Sequence, residues 1–225
     1  SEEMLGLLTG NGHEIVDSEE EADAIVINTC CFIHDAKEES VNTILEMAEY
    51  KKTGTCKILI VTGCMAQRYK EEITEEIPEV DAVLGTTSYG DIVKALNEAE
   101  AGHVFREFKD INALPEDSGR RVITTGGHFG YLKIAEGCDK HCTYCIIPSL
   151  RGKFRSVPEE RLLKQAEYMA SQGVRELILV AQETTVYGTD LYGKKTLSFL
   201  RNFARLKESV GSVFFTVIRK KFMMN

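Results

Sequence analysis

Residues 130–153 read GYLKIAEGCDKHCTYCIIPSLRGK: a short strand pattern over Tyr131, Leu132, Lys133 and Ile134 runs into Cys138, Cys142 and Cys145 at C-x3-C-x2-C spacing. Three thiolates this close can bind three corners of a four-iron cluster and leave the fourth iron open to a substrate. Zinc is the alternative, but a structural zinc usually takes a fourth protein ligand. His141 is the nearest, and it sits between two of the cysteines, where a chelating geometry is hard to reach. Downstream the pattern continues as a βα series. A helix is expected over 158–172, with Pro158 in its first turn and Gly173 as its stop. A strand over 177–180, a helix over 197–208 and a strand over 213–217 follow.

Upstream, continuous apolar runs at 24–28, 58–61 and 82–84 alternate with helical patterns at 35–50, 66–76 and 89–100. Val41, Ile44, Leu45 and Ala48 share one face of the first of these helices. Apolar strands alternating with helices predict an α/β fold, a parallel sheet of Rossmann or flavodoxin type covered on both faces. Residues 109–128 are polar and rich in turn formers, and read as a linker or hairpin. The expected organisation is therefore 1–108, a linker 109–128, and a second domain 129–225.

Cys30 and Cys64 each follow a predicted strand, at the carboxyl edge where such sheets collect ligands. Adjacent strands lie ~4.8 Å apart, so the two thiols could share a cluster; taken alone, such a pair is more often buried core. Cys31 should point the opposite way from Cys30, and Cys56 reads as an ordinary thiol.

The chain has 225 residues, a net charge of −8 and seven cysteines. No export signal opens it and no apolar run reaches membrane length, which favours reduced, metal-binding cysteines in a cytoplasmic protein over a disulfide framework. Residues 1–110 hold 24 acidic and 9 basic side chains, whereas 111–225 hold 11 and 18. An acidic front half suits a basic protein partner better than a polyanion.

NTCCFI (28–33), AKEES (36–40), TGCMAQRY (62–69) and YLKIAEGCDKHCTYCIIPSLRGKFRS (131–156) together resemble the methylthiotransferases of the radical S-adenosylmethionine (SAM) superfamily. Tyr144, just before the third cysteine, is part of that likeness. The resemblance implies a partial radical SAM (β/α) barrel after the amino-terminal domain, two 4Fe–4S clusters and SAM. Cys138, Cys142 and Cys145 would hold the first cluster. Cys30 and Cys64 match two of three ligands of an auxiliary cluster, and the third is expected a few residues before Ser1. VAQETTVYGTDLYG (180–193) and NTCCFI resemble the branch that modifies an aspartate of ribosomal protein S twelve, rather than the branch acting on tRNA adenosine. One SAM would then supply a methyl group to sulfur, and a second the radical that opens the aspartate β-carbon. The implied partners are that ribosomal protein or the small ribosomal subunit and a flavodoxin- or ferredoxin-type electron donor, with no membrane.

Glu136, Gln182 and Glu183 end barrel strands in this reading and are candidate SAM contacts with Tyr144. Arg151 and Lys153 could meet a carboxylate of SAM or substrate, or be solvated charge. The chain departs from the family in supplying only part of the barrel, in its basic ending and in lacking a TRAM-type β-barrel. It is expected to be a fragment that is inactive alone and exposes an unpaired strand edge. A tRNA methylthiotransferase and a non-enzymatic metal-binding fragment are the rival readings.

Overall fold

The computed structural model describes residues 1–116, 119–193 and the backbone of 212–215. Two compact units form: one from Ser1–Val122 with Lys140–Gly152, the other from Ile123–Asp139 with the described residues from Lys153 onward.

The first unit is built on a parallel sheet in the order β1-β2-β3-β4, comprising Ala24–Thr29, Ile58–Gly63, Ala82–Leu84 and Phe105–Glu107. β2 decides its architecture. All six of its residues are buried, because alternate side chains enter two separate cores. Leu59 and Val61 pack with Ile44 and Ala48 of α2 (His34–Thr53) and with Met65, Ala66 and Ile73 of α3 (Cys64–Glu76). Ile58 and Ile60 pack on the other side with Met4 of α1 (Glu2–Gly10) and with Ile92, Ala95 and Leu96 of α4 (Ile92–Glu100). Leu59, Ile60 and Val61 have no exposed surface, and burial of each such side chain contributes about 1.5–3 kcal/mol. The expected helix over 66–76 begins at Cys64 and kinks at Lys70, where φ is 21°.

α1 and β4 were not anticipated from the sequence. α1 is the partner of the polar stretch after 109. Arg121 Nε donates to Glu2 Oε2 at 2.5 Å, and the Val122 amide donates to the Glu2 carbonyl at 3.1 Å. Gly6 permits this approach, since a Cβ there would lie 2.6 Å from the Arg120 carbonyl carbon.

In the second unit, β5 (Phe129–Lys133), β8 (Glu176–Val180) and β9 (Ser212–Phe215) form a parallel sheet in the order β5-β8-β9. β6 (Ala135–Glu136) and β7 (Arg155–Ser156) pair antiparallel. α6 (Glu159–Ser171) buries Leu162, Ala166 and Met169, close to the expected 158–172. The helix expected over 197–208 lies outside the described residues. Among the described residues no helix is long and apolar enough to cross a membrane.

Candidate iron–sulfur sites

β1 and β2 end in register, with Thr29 opposite Gly63, so Cys30 and Cys64 leave adjacent strands at the same edge. Gly63 is required at this point. Its φ is 100°, and a Cβ would stand 2.4 Å from the Thr29 carbonyl oxygen. The Thr29 hydroxyl donates to the Thr62 carbonyl at 2.6 Å, tying the two strand ends together. Ser40, buried on α2, fixes Cys30 by its backbone: its hydroxyl donates to the Cys30 carbonyl at 2.9 Å and accepts from the Cys30 amide at 3.0 Å. Cys30 is exposed and Cys31 buried, the opposed directions expected of neighbours in an extended segment. Burial pushes the Cys31 thiol upward, the nearby Cys64 sulfur adds to this, and the Arg68 guanidinium opposes it.

The third strand end joins the same edge. Gln67 Oε1 accepts from the Thr86 amide at 3.1 Å, and the Thr86 hydroxyl donates to the Leu150 carbonyl at 2.9 Å. Leu150 belongs to α5 (Ile147–Arg151) and is buried in the core beside Cys64. The sequence did not suggest a helix here because of Pro148, which is tolerated at the start of this single turn. Next to Leu150, the Arg151 guanidinium meets Cys64 Sγ through Nε at 3.4 Å and Nη2 at 3.3 Å. Neither role considered for Arg151 from sequence involved Cys64.

Cys142 and Cys145 sit in the loop before α5, closed by a bond from the Cys145 amide to the Cys142 carbonyl at 2.9 Å. Cys142 and Tyr144 are exposed and Cys145 half-buried. Cys138 is buried in the second unit. Also in that unit, the Gly137 amide donates to Gln182 Oε1 at 3.0 Å, so Gln182 steadies the turn leading into Cys138. Glu136 is buried and pairs with Lys133. Glu183 Oε1 accepts from the Thr185 amide at 2.9 Å, a local turn cap.

Sequence reasoning missed a clamp further on. The Ser156 amide and hydroxyl donate to Asp190 at 2.8 and 2.6 Å. The Gly188 amide donates to the Ser156 hydroxyl at 2.8 Å, and the Tyr187 hydroxyl to the Val157 carbonyl at 2.8 Å. Together they fasten the 182–192 loop to β7. Burial, with Tyr192 nearby, pushes the Tyr187 phenol well above its ordinary value.

All seven cysteines are free thiols. Among the described residues no three His, Cys, Asp or Glu side chains already converge on one ligating point. The donor sets nonetheless suit an iron–sulfur cluster: reduced cysteine sulfur at two adjacent strand ends, and in a turn outside any helix or strand.

Residues 132–218 match the model of the radical SAM superfamily, and residues 1–85 match that of a family described as "Uncharacterized protein family UPF0004". The ribosomal protein uS12 methylthiotransferase RimO of Lachnoclostridium phytofermentans is 64% identical over 88% of this chain and 45% of its own length. Those of Clostridioides difficile and Acetivibrio thermocellus are 51% and 50% identical over 89% and 88% of this chain, and 45% of each relative. The solved structure of the radical SAM methyltransferase TsrM from Kitasatospora setae is 10% identical with a TM-score of 0.47, covering 81% of this chain and 39% of that one, too distant to carry an argument. The chain is therefore similar, over most of its length, to radical SAM methylthiotransferases of the RimO type, and it spans about 45% of the length of the curated relatives it matches.

Proposed function

We propose that this chain is part of an enzyme that adds a methylthio group to the β-carbon of an aspartate in ribosomal protein uS12. The observation that carries this is the 64% identity to a uS12 methylthiotransferase over 88% of the chain. Cys138, Cys142 and Cys145 would hold one 4Fe–4S cluster, and Cys30 and Cys64 two corners of a second, with a further ligand from upstream of Ser1. When bound, the first cluster supplies an open iron for SAM and the electron that splits it into a carbon radical, and the second presents sulfur for methylation and transfer.

The chain's own residues bind, orient and exclude water. Gln182 steadies the turn before Cys138, and Glu136, buried beside it in sequence, offers a carboxylate to the amino group of SAM. Tyr144 and Glu183 are further candidates for SAM contact. The Ser156–Asp190–Tyr187 clamp holds the 182–192 loop against β7, and such fixing matters because a carbon radical attacks whatever is nearest. The proposed setting is the cytoplasm, with a flavodoxin- or ferredoxin-type donor and the small ribosomal subunit as partners. The acidic first half, with 24 acidic against 9 basic side chains over 1–110, suits a basic ribosomal protein.

The test is anaerobic reconstitution of the full-length protein, followed by incubation with SAM, reductant and either small ribosomal subunits or tRNA. Mass spectrometry should find the methylthio group on uS12. Modification of tRNA adenosine, or of neither, overturns the assignment.

A further inference from the structure

We propose that Arg151 is a positioning residue for the auxiliary iron–sulfur site: from the end of α5, the short helix that follows the loop carrying Cys142 and Cys145, its guanidinium holds the Cys64 sulfur and raises the reduction potential of the cluster bound there. The inference rests on the reading above, in which Cys64 is a cluster ligand. Three observations within the first unit carry it.

The contact itself is two-pronged, with Nε and Nη2 at 3.4 and 3.3 Å from a single sulfur. A guanidinium is charged at every accessible pH and presents its donors in a rigid fork, so this is a fixed positive charge aimed at one atom. Second, the backbone that presents Arg151 has little freedom. Leu150 is buried and its carbonyl accepts from Thr86. Gly152 bonds back to the Pro148 carbonyl at 3.0 Å. Its φ is 71°, and a Cβ there would lie 2.6 Å from the Ile111 carbonyl oxygen. Third, the sulfur end is equally fixed, since Cys64 opens α3 directly after the constrained Gly63.

Hydrogen bonds and positive charge at a ligating sulfur stabilise the reduced, more negative cluster, which raises its potential. A lysine keeps the charge but loses the fork. The order of potentials should therefore be wild type above Arg151→Lys above Arg151→Ala. Because α5 directly follows the loop of Cys142 and Cys145, the segment that holds one set of ligands also sets the electrostatics of the other.

The experiment uses the full-length protein in a Cys138→Ala/Cys142→Ala/Cys145→Ala background, so that only the auxiliary cluster remains, with Arg151→Ala and Arg151→Lys added in turn. Iron and sulfide are counted, the midpoint potential is taken by redox titration followed by electron paramagnetic resonance, and thermal unfolding is measured. A negative shift in Arg151→Ala with iron retained, and a smaller shift in Arg151→Lys, is the expected result. Loss of iron in Arg151→Ala with unchanged unfolding and recovery in Arg151→Lys also supports the role. An unchanged potential with iron retained overturns it, as does an equal loss of thermal stability and iron in both variants. A Cys64→Ala variant, which leaves no donor atom at this position, separates the two claims. If it keeps the full iron content, Cys64 is not a ligand and the underlying assignment fails, whatever Arg151 does.

Discussion

Cys30 and Cys64 are held by the ends of a sheet, whereas Cys142 and Cys145, in the same compact unit, are held by a turn. The first pair is tied down at several points: Ser40 takes both polar groups of Cys30, the Thr29 hydroxyl bonds to the Thr62 carbonyl, and Gly63 leaves no room for a side chain. The second pair sits in a turn that the Cys145 amide closes on the Cys142 carbonyl at 2.9 Å. A sheet edge preorganises its ligands, so their geometry is fixed during folding. A loop leaves ligand geometry to be completed when the metal binds. In the proposed function, the difference suits a sulfur-presenting site that must stay fixed and a cofactor site that must admit SAM.

The largest expected effect falls on the sheet edge. Gly63→Ala forces a Cβ toward the Thr29 carbonyl and a left-handed backbone on alanine, at a cost of about 3 kcal/mol. Denaturant unfolding should report this loss, and iron bound through Cys30 and Cys64 should fall with it. Alkylation of Cys142 should be unaffected. Equal stability in the variant would break the contrast between the two regions.

Ser40→Ala comes next. It strands the amide and carbonyl of Cys30, which costs about 1–3 kcal/mol, and the midpoint of denaturant unfolding should drop without a change in slope. An unchanged midpoint would mean that the Cys30 backbone finds other partners.

These two residues also mark what the sequence could and could not disclose. The strands were legible because β2 lies between two cores, which demands an uninterrupted apolar run, and because β1 follows the same logic, with Ile25 and Ile27 in one core and Ala24 and Val26 against the other. Cys30 and Cys64 were legible as strand-end residues. Ser40 stood in plain view within AKEES, but a hydroxyl reaching back ten residues to another backbone leaves no periodic signature. Arg151 and Cys64 are 87 positions apart, and no local rule connects them. α1 escaped notice because its two glycines weaken the helical pattern, although Gly6 is there to admit the Arg120 backbone. β4 is three residues of mixed polarity, too short for any alternation to register.

A smaller effect is expected in the second unit. Tyr187→Phe removes the bond to the Val157 carbonyl, worth about 1 kcal/mol, and should loosen the 182–192 loop. Hydrogen exchange should quicken there and stay unchanged at the sheet edge of the first unit. Uniform exchange rates in the variant would show that Asp190 and Ser156 suffice to hold the loop.

The smallest effect concerns Cys56, which lies away from both sets of ligands. Burial raises its thiol above the ordinary value of 9.0, against an opposing backbone hydrogen bond from Ile58. The folded state therefore favours the neutral thiol. Its contribution to stability is complete below the ordinary thiol value and is lost as pH rises through the raised one. At pH 8, alkylation resolved by mass spectrometry should modify exposed Cys30 and Cys142 well before Cys56. In Cys56→Ala the alkaline fall in stability should be shallower, and an identical fall would contradict the assignment.

The central claim is that the chain carries ligands for two separate clusters. Iron and sulfide counting on the anaerobically reconstituted full-length protein tests it most directly, compared with its Cys138→Ala/Cys142→Ala/Cys145→Ala variant. Two clusters predict roughly eight irons per chain, falling to roughly four in the variant, which keeps the cluster at Cys30 and Cys64. A variant that keeps no iron, or as much as the unaltered protein, would contradict it.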